Sequence, residues 1–177
     1  RGSSGTPQGR FVVRDSTGNL IDCTLNNGVT GLATYNPASP CNGDDFSGFT
    51  SDDRFNFAPF NYYVTPSKRS NIFAQVNVEL SDNVSWFVKG AYNNRKSANQ
   101  AAPEPIFIGP EAGAGAIADN IVIDATNPFN PFGVNIFDPN NSFYDGQGFI
   151  GRRPLEAGPR LFEQDVDTTY FSTGLEG

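Results

Sequence analysis

Two adjacent arginines, Arg152 and Arg153, have the clearest capacity for ligand chemistry in this sequence. A guanidinium presents a planar fork of donors that matches a carboxylate or phosphate, so the pair can grip an anion such as a ferric chelate. The commoner use of such a pair is ion pairing with nearby acids. Phe60, Tyr62 and Tyr63 can stack on a sugar ring, or anchor at a membrane interface, which is the usual work of aromatics in barrels. Phe129 and Phe132 add two further aromatics to a long polar segment, where they can meet a ligand or pack the segment together with Phe137. Asp44, Asp45, Asp52 and Asp53 offer oxygen ligands for a cation, but lack the fixed spacing of a calcium loop and read as a solvated acidic surface. No cofactor or resident metal is expected.

Catalytic constellations are not legible. His is absent, so no Ser-His-Asp set can form. Glu104, Glu111 and Asp124 have no spacing that pairs them. Ala112-Gly113-Ala114-Gly115-Ala116 lacks a following Lys-Ser/Thr and reads as a hinge or turn, not a phosphate loop. The chain is expected not to be an enzyme. Its net charge of −7 disfavours a nucleic-acid partner, whose phosphates need a basic face. Cys23 and Cys41 are the only cysteines and sit in a polar stretch with few apolar neighbours. Free thiols prefer apolar burial, so the two are expected to be bonded in an oxidising compartment.

The elements that hold these residues are strands. Ile72, Ala74, Val76, Val78 and Leu80 alternate with Asn71, Phe73, Gln75, Asn77 and Glu79. Ser81-Asp82-Asn83 supplies a turn. Val84, Trp86, Val88, Gly90 and Tyr92 then alternate with Ser85, Phe87, Lys89, Ala91, Asn93 and Arg95. This period of two predicts an antiparallel hairpin over 70–95, with Ile72, Val76, Val84 and Val88 on one side. Each strand reaches the roughly 9–11 residues of a tilted transmembrane strand. A third strand is expected from Phe162 to Leu175, with Thr169, Phe171, Thr173 and Leu175 on one face. Glu163, Asp165 and Asp167 are too acidic for lipid and would project above the membrane.

The intervening stretches show no period, although Phe11–Arg14 and Asn19–Asp22 can form short strands around Ser16-Thr17-Gly18. The sequence therefore reads as all-β, a segment of a transmembrane antiparallel β-barrel with two long extracellular loops. Residues 1–69 would be a loop with the disulfide, 70–95 the transmembrane hairpin, 96–160 a second loop and 161–177 a transmembrane strand. Three strands cannot close a barrel. With no Met and an Arg1 start, this predicts an interior piece of a longer protein, one that aggregates or needs detergent when isolated.

Four segments carry a family resemblance. They are Phe55-Asn56-Phe57-Ala58-Pro59-Phe60-Asn61-Tyr62-Tyr63-Val64-Thr65-Pro66-Ser67-Lys68-Arg69; Leu80-Ser81-Asp82-Asn83-Val84; Asn127-Pro128-Phe129-Asn130-Pro131-Phe132-Gly133; and Arg152-Arg153-Pro154-Leu155-Glu156-Ala157-Gly158-Pro159-Arg160 running into Phe162 and Asp165-Val166-Asp167. In this order, over about residues 54–177, they resemble TonB-dependent outer-membrane receptors. The resemblance implies a barrel of about 22 strands with a plugged lumen in the bacterial outer membrane. It implies import of a scarce nutrient, such as a siderophore or oligosaccharide. The implied partners are membrane lipid, the small-molecule nutrient and an inner-membrane energy-coupling protein reached through parts outside this chain. No plug or coupling residue can be carried over. The alternative reading is a secreted or surface β-rich ligand-binding module, for instance for carbohydrate.

Overall fold

The structure, a computed structural model, describes residues 2–43 and 45–177. It is all-β and antiparallel, with no α-helix among the described residues. The chain divides into two units, one built from residues 1–59 and 102–159 and the other from 60–101 and 160–177.

The second unit is a three-stranded sheet of long strands. β5 (Ser67–Ser81) and β6 (Val84–Ala101) form the hairpin, turning at Asp82-Asn83, and β9 (Arg160–Glu176) pairs with the far side of β6. The register pairs Ile72 with Tyr92, Ala74 with Gly90, Val76 with Val88 and Val78 with Trp86. On the other side, Trp86 pairs with Leu175, Val88 with Thr173, Gly90 with Phe171 and Tyr92 with Thr169. Opposed residues in an antiparallel pair point the same way. Ile72, Val76, Val84 and Val88 therefore share one face, as the alternation predicts. An irregularity between Glu79 and Ser81 tightens the entry into the turn. The strands are longer than the period alone indicates. β5 starts at Ser67 and β6 continues to Ala101, because polar residues such as Asn93, Asn94 and Arg95 keep the ladder without keeping the hydropathic contrast.

The first unit draws on both stretches read as loops, 1–69 and 96–160. Both stretches contribute to one sheet and one core. Besides β1 (Arg10–Arg14) and β2 (Leu20–Leu25), the unit contains β3 (Asn42–Gly43), β4 (Phe46–Gly48), β7 (Ile106–Ile108) and β8 (Phe149–Arg152). The sheet order is β3-β4-β2-β1-β8-β7. These strands are too short to display a period. The pairing of β1 with β8, through Arg10 with Gly151 and Val12 with Phe149, joins residues far apart in sequence.

Val13, Ile21, Cys23, Phe46, Phe132, Ile136 and Phe137 form the core of this unit. Phe132 lies 5.0 Å from the Tyr35 ring, 5.5 Å from Phe46 and 5.8 Å from Phe11, an aromatic cluster with tilted and edge-on contacts. The β1–β2 turn is organised by Asp15. Its carboxylate accepts from the Thr17 amide (2.9 Å) and hydroxyl (2.7 Å), the Asn19 amide (3.1 Å) and the Tyr35 phenol (2.8 Å). Gly148 is required by close approach, since a Cβ there would lie 2.3 Å from the Val12 carbonyl oxygen.

Cys23 and Cys41 are bonded, with Cα atoms 5.4 Å apart. Their setting differs from the polar loop expected. Cys23 is fully buried in the core and Cys41 packs against it. The apolar neighbours come from Phe46, Phe132 and Ile136, which local sequence does not reveal.

Candidate functional site

The three-stranded sheet has two chemically different faces, fixed by the register. On one face lie Ile72, Ala74, Val76 and Val78 of β5, Val84, Trp86, Val88 and Tyr92 of β6, and Thr169, Phe171, Thr173 and Leu175 of β9. This apolar band is open to the surroundings within its unit, with Ile72 at 68% and Phe171 at 69% exposure. From Val84 to Tyr92 the band runs about 27 Å along β6 at about 3.4 Å per residue. At the tilt of about 40° usual for membrane barrels that is about 21 Å of height, close to the apolar band of about 25 Å such barrels carry.

The polar groups of Trp86, Thr173 and Tyr92 in the band are partnered inside the sheet. The Trp86 indole donates to the Thr173 hydroxyl (3.0 Å), which in turn donates to the Phe87 carbonyl (2.9 Å). The Tyr92 phenol donates to Asp167 (2.6 Å). A surface that meets hydrocarbon must close its own donors in this way.

Above the row Ile72, Tyr92, Thr169 the same face turns polar within one rung. Ser70, Asn94 and Asp167 form the next row, and Lys68, Lys96 and Asp165 the one after. The Asn94 amide donates to Asp165 (2.8 Å) and Asp167 (2.7 Å), and Lys96 pairs with Asp165 at 2.8 Å. A shallow cleft runs past Lys68, Lys96 and Asp165 at this collar. The acids that seemed too polar for lipid are thus bound into a collar at the edge of the band.

The opposite face carries Arg69, Asn71, Gln75, Asn77 and Glu79 of β5 and Lys89, Asn93 and Arg95 of β6. Phe73 and Tyr170 flank Ala91 in one row within it. Gln75 donates to Asn77 (3.2 Å), and Lys89 lies 5.0 Å from the Phe87 ring centroid.

The proposed ligand-loop residues separate into two groups. Tyr63 is wholly exposed, Tyr62 and Phe129 are exposed, and Phe60 is half-buried. The segment carrying Phe60 and Tyr62 is tied to the end of β6, because the Gln100 side chain donates to the Phe60 carbonyl (2.9 Å) and the Tyr62 amide donates to the Gln100 carbonyl (3.1 Å). Phe132, by contrast, is 2% exposed in the core, out of reach of any ligand. Its position follows from the Asn127–Gly133 turn, in which the buried Asn130 amide donates to the Val134 carbonyl (2.8 Å) and the Asp124 carbonyl (3.0 Å).

Arg152 and Arg153 do not act as a pair. Arg152 ends β8, exposed and salt-bridged to Glu156 at 2.7 Å. Arg153 is 5% exposed, and its guanidinium donates to the Pro103 carbonyl and the Ser3 hydroxyl (3.1 Å) and lies 5.1 Å from the Phe55 ring centroid. Adjacent residues of an extended chain point to opposite sides, which separates the two guanidinium groups. Arg153 ties the segments around Ser3 and Pro103 to the end of β8; the pair is split into a buried strut and a surface ion pair, the latter being the commoner use read from the sequence.

Among the acids, Asp45 accepts from the Thr34 amide (2.7 Å) and hydroxyl (2.8 Å), and these bonds hold its carboxyl below the usual range. Asp53 accepts from the Thr50 amide (2.7 Å), and Asp44 lies outside the described residues. Among the described residues no group of three or more potential ligands converges on a metal position. Burial pushes the Asp15 carboxyl up, but the bonds from Thr17, Tyr35 and Asn19 outweigh it and hold the group below its ordinary value. Burial and the bond to Asp15 push the Tyr35 phenol up.

No protein-family model matches this chain, and searches of curated proteins and of solved structures return no similar protein.

Proposed function

We propose that this chain forms part of the wall and the external loops of an outer-membrane β-barrel receptor that binds and imports a scarce nutrient. The observation that carries the reading is the apolar band of the three-stranded sheet. It is open, about 21 Å in height against the roughly 25 Å apolar band of membrane barrels, has Trp86, Tyr92 and Thr173 hydrogen-bonded within the sheet, and is cut off within one rung by a charged collar. Lipid is the environment that suits such a surface. The opposite, polar face would then line a wet lumen. The unit containing the disulfide would stand outside the membrane, where an oxidising compartment preserves the bond. The resemblance of residues 54–177 to TonB-dependent receptors supports import, with a siderophore or oligosaccharide as ligand and energy relayed by an inner-membrane protein through other segments of a longer chain.

Trp86 is the only tryptophan, and it sits in the band. The chain reconstituted in vesicles whose acyl chains carry bromine should show strong quenching of its emission relative to unbrominated vesicles. Emission unaffected by bromine but quenched by aqueous acrylamide would overturn the reading. A monodisperse, cooperatively melting monomer without detergent would instead favour a soluble binding module.

A further inference from the structure

The hairpin carries four cations in two adjacent rungs, Lys68 opposite Lys96 and Arg69 opposite Arg95. Alternation sends the lysines to the apolar-band face and the arginines to the polar face. The third strand treats the two faces differently. Its run Glu163-Gln164-Asp165-Val166-Asp167-Thr168 places all three acids on the lysine face and Gln164, Val166 and Thr168 on the arginine face. Lys96 is accordingly paired with Asp165. Arg95 has Val166 as its neighbour on β9, and among the described residues no acid lies within ion-pair distance of Arg69 or Arg95.

Two like charges directly opposed on a sheet repel, with Cβ atoms about 5 Å apart. The chain has 19 acids against 12 bases, so acids to neutralise the pair are not scarce. Those that β9 brings beside the pair, Glu163, Asp165 and Asp167, are kept on the other face. Two guanidinium forks side by side, free of protein acids, fit a carboxylate or phosphate bridging them with bidentate bonds.

We infer that Arg69 and Arg95 form the anion-binding position of the polar face, and that the ligand is a small organic anion carrying carboxylate or phosphate. This rests on the reading of that face as the lumen and names the substrate class it admits.

The test uses the full chain in detergent micelles at physiological ionic strength, with citrate and pyrophosphate as probes followed by titration calorimetry. Saturable binding is expected. R69Q and R95Q should each weaken it about tenfold, as loss of a charge-assisted hydrogen bond predicts. R69K and R95K, which keep charge but lose the fork, should weaken it less. K68Q and K96Q on the other face should leave it unchanged. Circular dichroism checks that each variant folds. Absence of saturable binding, equal weakening by K68Q and K96Q, or wild-type affinity in both R69Q and R95Q would overturn the inference. Because the Trp86 quenching experiment reads only the apolar face, strong quenching without anion binding would remove this site and leave the membrane reading intact.

Discussion

The Tyr92 phenol and the Asp167 carboxylate meet at 2.6 Å across β6 and β9, at the row where the apolar face of the sheet becomes polar. Tyr92 closes the band with its ring and opens the collar with its hydroxyl. An aromatic ring with one apolar body and one polar tip suits such a boundary. Asp167 also receives the Asn94 amide, so the bond belongs to a network that includes Asp165 and Lys96. The boundary is therefore held by named bonds between strands.

That boundary gives the first prediction. Val76 and Asn77 are neighbours on β5 that face opposite sides. V76K should destabilise the folded sheet in lipid by about 2–4 kcal/mol, and N77K by about 0–1 kcal/mol or less. Urea titration in vesicles, read by Trp86 emission, checks the difference. Equal costs would mean that the two faces meet the same solvent.

The disulfide closes a sequence separation of 18 residues, and Cys23 is fully buried. The C23S/C41S double variant should lose about 3 kcal/mol from the unit that holds it. Hydrogen exchange should rise in β1, β2 and β4 while β5 and β6 keep their protection. Labelling of the unreduced wild-type protein should find no free thiol.

Asp15 provides a pH dependence with a defined sign. Its carboxyl is held below the ordinary value, so it binds fewer protons folded than unfolded. Its stabilisation is complete above an unfolded value of about 3.9 and is lost as pH falls through the lower folded value. Asp145 behaves in the same sense, because the bond from Arg14 holds it down. Acid titration followed by near-ultraviolet dichroism should show loss of Tyr35 signal below about pH 4. D15A should cost about 1–3 kcal/mol at neutral pH and weaken the acid limb.

Phe129 and Phe132 stand three residues apart in the same turn and should respond oppositely to truncation. F132A removes a ring buried among Phe11, Tyr35 and Phe46 and should cost about 3–5 kcal/mol. F129A removes an exposed ring and should stay within about 0.5 kcal/mol. Limited proteolysis of the two variants distinguishes them.

The hairpin and the third strand were legible in the sequence because their information is local. A strand of fifteen or more residues repeats its alternation often enough to reveal its faces, and Asp82-Asn83 marks its turn. The bonded cysteines were legible too, from there being two of them, although the polar setting read around them gives way to a buried one. Tertiary structure alone decided that residues 1–59 and 102–159 share one sheet and core. Their strands are two to six residues long, and the bridge from Arg10 to Gly151 depends on contacts across the whole chain. It also decided the fates of Phe132 and Arg153, whose residue types suit a ligand site and a core or strut equally. Residue type fixes what a side chain can do. Which capacity is used depends on which distant segments fold around it, and for Arg69 and Arg95 on the placement of Glu163, Asp165 and Asp167 of β9 on the other face.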